Sequence, residues 1–140
     1  MPVLMEFYNA TNGLTWVQSN GWGSADCIVS WFGVTCSIIA ENGSSVITEV
    51  NLTSNNLSGS LTESLVNLTA LQFLLLRSNH ISGTLPTSWR MFDSLVHLDV
   101  SSNNLRGGIP SNWTSIDLRI VDFSRNSFDG RCHLASTLHR

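Results

Sequence analysis

Between Ile47 and Gly130 the apolar and polar positions follow one phrase, repeated four times. Ile47-x-x-Val50-x-Leu52-x-x-Asn55-x-Leu57 aligns with Leu71-x-x-Leu74-x-Leu76-x-x-Asn79-x-Ile81. Leu95-x-x-Leu98-x-Val100-x-x-Asn103-x-Leu105 and Leu118-x-x-Val121-x-Phe123-x-x-Asn126-x-Phe128 continue the register. The starts at 47, 71, 95 and 118 give a period of roughly 23–24 residues, the scale of a solenoid repeat. Within each phrase the alternation predicts a short strand that points Val50 and Leu52, Leu74 and Leu76, Leu98 and Val100, Val121 and Phe123 into a core. A unit this short cannot bury its apolar face alone, so the coils must stack with their strands side by side.

The slot after each strand is always Asn, at positions 55, 79, 103 and 126. An amide side chain offers two donors and an acceptor, so it can satisfy backbone groups where the chain turns off a sheet. An orphaned buried group there would cost about 1–3 kcal/mol. Asn55, Asn79, Asn103 and Asn126 are therefore expected to form a structural ladder. A second pattern follows: Leu57-Ser58-Gly59, Ile81-Ser82-Gly83-Thr84-Leu85-Pro86, Leu105-Arg106-Gly107-Gly108-Ile109-Pro110 and Phe128-Asp129-Gly130. Its glycines permit positive φ or close approach of coils, and its prolines stop regular helix. Leu65 and Leu68, Trp89 and Phe92, Trp113 and Ile116 then fill the far side of the core.

The front of the chain departs from the phrase. Val3, Leu4, Phe7 and Tyr8 share one face of a short helix over 1–12, ended by Gly13. An aromatic, glycine-rich stretch follows, with Trp16, Trp22 and Trp31 and with Cys27 and Cys36. Trp22 and Trp31 are expected to lie over the first core layer. Val34 to Ile38 reads as a strand and Glu41-Asn42-Gly43 as a turn into the first repeat strand. Three cysteines, Cys27, Cys36 and Cys132, leave two readings: one pair with a remaining thiol, or no pair. Closing Cys27 to Cys36 would stabilise the fold by about 2.5–3 kcal/mol in the chain-entropy model.

The segments Asn79-x-Ile81-Ser82-Gly83-Thr84-Leu85-Pro86 and Asn103-x-Leu105-Arg106-Gly107-Gly108-Ile109-Pro110 resemble plant-type leucine-rich repeats. Phe7-Tyr8-Asn9-Ala10-Thr11-Asn12-Gly13-x-x-Trp16, together with Trp31-Phe32-Gly33-Val34-Thr35-Cys36, resembles the cysteine-paired N-terminal cap of that subclass. The resemblance covers the chain to about residue 130. It implies an α/β solenoid, a right-handed curved stack with a parallel concave β-sheet, about four repeats and a helical and hairpin cap. It also implies short second strands at the Gly-x-Ile-Pro segments and a disulfide joining Cys27 to Cys36. Relatives of this kind, among them plant receptor ectodomains, polygalacturonase-inhibiting proteins and protist surface antigens, act as secreted or cell-surface binding modules. The expected organisation is a cap over residues 1–45, repeats over 46–130, and a tail or partial cap over 131–140. Arg131-Cys132 stands where an Ile-Pro belongs. If the tail, with Leu134 and Leu138, does not cover the last layer, that end invites self-association.

Charge and chemistry narrow the function. Charged residues are only 12% of the chain and the net charge is -3, with no basic cluster, which disfavours a nucleic-acid or anionic-membrane partner. No apolar run approaches the length of a membrane span, and Met1-Pro2-Val3 carries no signal-peptide pattern. Sequons at Asn9, Asn42, Asn51, Asn56, Asn67 and Asn112 favour a secreted or cell-surface glycoprotein. His97-x-Asp99-x-Ser101 carries triad letters, but residues two apart on a strand are about 6.6–7 Å apart and the Asp stands in the middle. A triad needs His between the other two, so no catalytic role is expected. Asp99 and Asp122 should be neighbours on adjacent strands, with His97 nearby. Arg77, Arg119 and Arg125 can neutralise them, and neither a metal nor another cofactor is expected.

The outward row holds Glu49, Asn51 and Thr53; Phe73, Leu75 and Arg77; His97, Asp99 and Ser101; Ile120, Asp122 and Ser124. Phe73, Leu75 and Ile120 are apolar where the pattern predicts solvent. With Arg77, His97, Asp99 and Asp122 they form a mixed patch suited to a protein or peptide ligand. The expected function is non-catalytic recognition on the concave sheet. The alternatives are a structural or stress-surface solenoid that binds glycan or ice through Thr53, Ser78, Ser101 and Ser124, or a glycosidase inhibitor.

Overall fold

The computed structural model describes residues 2–24, 31–110, 113 and 117–130. Cys27, Cys132, Ile116, the Asn112 sequon and the 131–140 tail lie outside them. Two parallel ladders wind through the repeats. The concave sheet has the order β1-β2-β4-β6-β8, with β1 Val34–Ile38, β2 Ser45–Asn51, β4 Phe73–Leu75, β6 His97–Asp99 and β8 Ile120–Asp122. The second sheet has the order β3-β5-β7-β9, with β3 Ser58–Ser60, β5 His80–Gly83, β7 Asn104–Gly107 and β9 Ser127–Phe128. β5 and β7 end at Gly83 and Gly107, ahead of Pro86 and Pro110. Proline has no N–H to give to a ladder, so pairing stops before it.

The period becomes the register. Val50, Leu74, Leu98 and Val121 are direct partners on successive strands, and so are Glu49, Phe73, His97 and Ile120. Alternation then places the first set inward and the second outward. Val50, Leu52, Leu74, Leu76, Leu98 and Val100 are fully buried, each contributing about 1.5–3 kcal/mol as a large apolar side chain removed from water. Val121 and Phe123 depart from expectation: both are half-buried, because no further described coil covers them. On the convex side the chain forms short 3-10 turns, Glu63–Asn67 and Thr87–Met91, which bury Leu65 and Trp89. The Trp89 indole N–H donates to the Thr62 carbonyl of the preceding coil at 2.9 Å.

At the front, helix α1 spans Pro2–Ala10 and buries Leu4 and Phe7. It stops before Gly13: Asn12 takes a left-handed conformation at φ 55 and leads into a 3-10 turn at Gly13–Thr15. Tyr8, Trp16, Trp22 and Trp31 pack together with neighbouring centroids 4.8–5.8 Å apart, Tyr8 stacked on Trp22 and the other pairs edge to face or tilted. Trp31 is buried and Trp22 half-buried. β1 pairs antiparallel with β2 and so covers one edge of the parallel ladder. The helix end also meets the second sheet, where the Thr11 carbonyl accepts the Ser58 N–H at 3.2 Å. Gly59 lies there at φ 92, and a Cβ on it would stand 2.2 Å from the Ala10 carbonyl oxygen. Cys36 is disulfide-bonded.

The four asparagines knit the coils. Asn55 exchanges hydrogen bonds with the Gln18 backbone, its Oδ1 accepting at 2.7 Å and its Nδ2 donating at 2.8 Å, which ties the front segment to the first repeat. Asn79 Oδ1 accepts from Asn55 N and Leu57 N, and its Nδ2 donates to the Leu52 and Leu76 carbonyls. Asn103 Oδ1 accepts from Ile81 N and Asn126 Oδ1 from Leu105 N. Asn79, Asn103 and Asn126 each bind the preceding coil as well as their own.

Candidate functional site

The outward side chains of the concave sheet line up in rows because its strands are in register. The first row runs Thr35, Glu49, Phe73, His97, Ile120. The second runs Asn51, Leu75, Asp99, Asp122. Arg77 follows β4 and is exposed. All seven side chains expected at a binding surface thus share one face: Phe73, Leu75, Arg77, His97, Asp99, Ile120 and Asp122. Ile120 is 54% exposed, while Phe73, Leu75 and His97 are half-buried. The Phe73 and His97 rings meet edge to face with centroids 6.2 Å apart.

The acids behave differently from the aliphatics. Asp99 Oδ1 accepts both the backbone N–H of Ser101, at 2.9 Å, and its hydroxyl, at 2.6 Å. Asp122 Oδ1 accepts the Ser124 N–H at 2.8 Å, and Asn51 Oδ1 the Thr53 N–H at 3.3 Å. A carboxylate or amide in this slot therefore closes the turn off its own strand. This role was missed in the sequence, although Asn51-x-Thr53, Asp99-x-Ser101 and Asp122-x-Ser124 spell it, with Leu75 as the exception. Hydrogen bonds from Ser124, its hydroxyl first and its backbone N–H second, hold the Asp122 carboxyl below the usual carboxylate range. Partial burial opposes them, and the Arg77 and Arg125 guanidiniums add to the lowering.

Two expectations about this face need correction. Ser101 does not share the exposed face with His97 and Asp99: it is 2% exposed, its hydroxyl spent on Asp99. Arg119 does not turn to the acids of the sheet but pairs with Asp117 at 3.8 Å, both side chains being well exposed. Among the described residues no three His, Cys, Asp or Glu side chains converge on a metal-sized point. Among them, too, no helix is long and apolar enough to cross a membrane.

Comparison with known proteins agrees with this geometry. The Leucine Rich Repeat family model matches residues 70–92 and 94–116. A nodulation receptor kinase from Pisum sativum is 43% identical over 54 residues, 38% of this chain and 6% of the relative, so the chain spans a small part of that protein. Among solved structures, the leucine-rich-repeat ectodomain of the receptor kinase SOBIR1 from Arabidopsis thaliana superposes with a TM-score of 0.78 at 25% identity. That match covers 98% of this chain and 72% of the ectodomain. A chain of the BIR3–SERK2 complex from the same plant gives 0.72 at 30% identity, covering 90% of this chain and 68% of that one. The chain is a plant-type leucine-rich-repeat protein, an α/β solenoid with a parallel concave sheet.

Proposed function

We propose that this chain is a non-catalytic recognition module, secreted or displayed on the outer face of the plasma membrane, that binds a protein or peptide on its concave sheet. The observation that carries this reading is the patch of Phe73, Leu75 and Ile120 on outward positions of β4 and β8, with His97 between Phe73 and Ile120 in register. Apolar groups held in reach of water on an otherwise polar face mark a partner site. Arg77 and the acids beside them supply direction. The likeness to the ectodomain of one receptor kinase, and to a chain of a complex between two named proteins, supports a macromolecular partner. In this reading residues 1–45 form the cap, with Cys27 joined to Cys36, residues 46–130 the repeats and 131–140 the tail. The half-buried Val121, Phe123 and Phe128 favour self-association at that end. Ice or glycan binding has less support, because Arg77 interrupts the Thr53, Ser101, Ser124 row and Ser101 is buried.

The test is a pull-down with the intact chain followed by mass spectrometry, run beside a Phe73→Ala/Arg77→Ala variant. Partners retained by the wild type should be lost from the variant while its circular dichroism and thermal midpoint stay the same. Equal recovery by both proteins refutes the concave site.

A further inference from the structure

One strand toward the front from Phe73 and Leu75, the sheet carries chemistry that the patch does not use. Phe32 and Thr35 face Glu49, Asn51 and Thr53 across an open hollow of about 390 Å³. Register places Glu49 directly beside Phe73 and Asn51 beside Leu75, so a polar hollow adjoins an apolar strand. Glu49 is half-buried there. Among the described residues the single ion pair is Arg119 with Asp117, next to β8 at the far edge of the sheet, so Glu49 has no cationic partner among them. Asn51 commits its Oδ1 to the Thr53 N–H, and the Thr35 and Thr53 side chains are exposed. A partly desolvated carboxylate without a counter-charge, ringed by hydroxyl and amide groups, is complementary to a cation with several N–H donors.

We propose that this hollow and the adjoining β4 surface together select an extended peptide with a basic side chain two positions from a large apolar one. The inference rests on the recognition function proposed above. In an extended chain, residues i and i+2 share a face about 6.6–6.8 Å apart, and neighbouring strands of the sheet are about 4.8 Å apart. A long guanidinium or ammonium side chain spans the difference and reaches Glu49, while the apolar side chain lies on Phe73 and Leu75. Among the described residues no arginine forms an ion pair with Glu49, and Arg77, beside Thr53 at the rim of the hollow, and Arg125 both bear on Asp122.

The experiment pans a phage-displayed random heptapeptide library on the intact chain, produced in a bacterial periplasm so that the disulfide forms and the Asn51 sequon stays bare. Glu49→Gln and Phe73→Ala/Arg77→Ala variants are panned alongside. The wild type should enrich a basic-x-apolar consensus. The synthetic consensus peptide should bind Glu49→Gln about tenfold more weakly at low salt, with the difference shrinking as salt is raised. A control peptide with Gln in place of the basic residue should bind wild type and Glu49→Gln alike. A consensus without a basic residue, or equal affinity of both proteins for the consensus peptide, overturns the Glu49 assignment and leaves the concave site standing. Enrichment unchanged in Phe73→Ala/Arg77→Ala, or no enrichment on the wild type, overturns the concave site and this assignment with it.

Discussion

Replacing Asn79 with alanine tests the asparagine ladder where one side chain carries the most hydrogen bonds. Five hydrogen bonds end on this side chain: two accepted by Oδ1 from Asn55 N and Leu57 N, three donated by Nδ2 to the carbonyls of Leu52, Leu76 and Arg77. Two of those carbonyls keep another donor. Leu76 O still accepts from Asn103 Nδ2, and Arg77 O from Ser54 N. The substitution therefore strands three backbone groups: Asn55 N–H, Leu57 N–H and Leu52 C=O. At about 1–3 kcal/mol for each unsatisfied buried group the loss is about 3–9 kcal/mol, and water entering the space left by the amide favours the lower half of that range. A domain of this size has about 5–15 kcal/mol in total, so Asn79→Ala should unfold well below the wild-type urea midpoint or fail to fold. Asn126→Ala removes the same amide from the half-buried last rung, where Oδ1 accepts only from Leu105 N, and should cost about 1–2 kcal/mol. Urea titrations followed by tryptophan fluorescence and by circular dichroism, with the slope held common, measure both. An Asn79→Ala protein within about 0.5 kcal/mol of wild type, or an equal cost at Asn126, would refute the accounting of orphaned groups.

Two other predictions concern the thiols and the acids. Non-reducing peptide mapping should recover Cys27 linked to Cys36, and Cys27→Ser should lower stability by about 2.5–3 kcal/mol; a Cys36–Cys132 peptide would overturn the pairing. Asp122 has a folded-state pKa below its unfolded value, so its contribution is present above the unfolded pKa of about 3.9 and is lost as pH falls through the lower folded value. Asp122→Asn should therefore flatten the loss of stability below about pH 4 and leave its pH dependence above about pH 5 unchanged; parallel curves for the two proteins across the acid range would contradict this.

The period, the inward Leu and Val, and the asparagine slots were all readable in the chain, because each is fixed by a repeat's own geometry: alternation sets the face, and a turn off a sheet needs a donor-and-acceptor side chain. Ser101 and Ser124 occupy one slot of the phrase, yet the first is buried and the second exposed. Val121 carries the same letter pattern as Leu98 and is only half-buried. Burial is a property of the next coil, not of the residue. Asn51, Asp99 and Asp122 gave up part of their binding capacity to their own backbones, which becomes visible only when the strand ends are placed. Glu49 reads in the sequence as one more outward polar residue. It becomes a candidate subsite because β1 folds back against β2 and walls it in, a pairing between segments that no repeat encodes alone. The sequence by itself determined the coil and its stacking direction. The tertiary structure decided which outward groups remain unpaired, since that depends on what the neighbouring coils and the front segment leave uncovered.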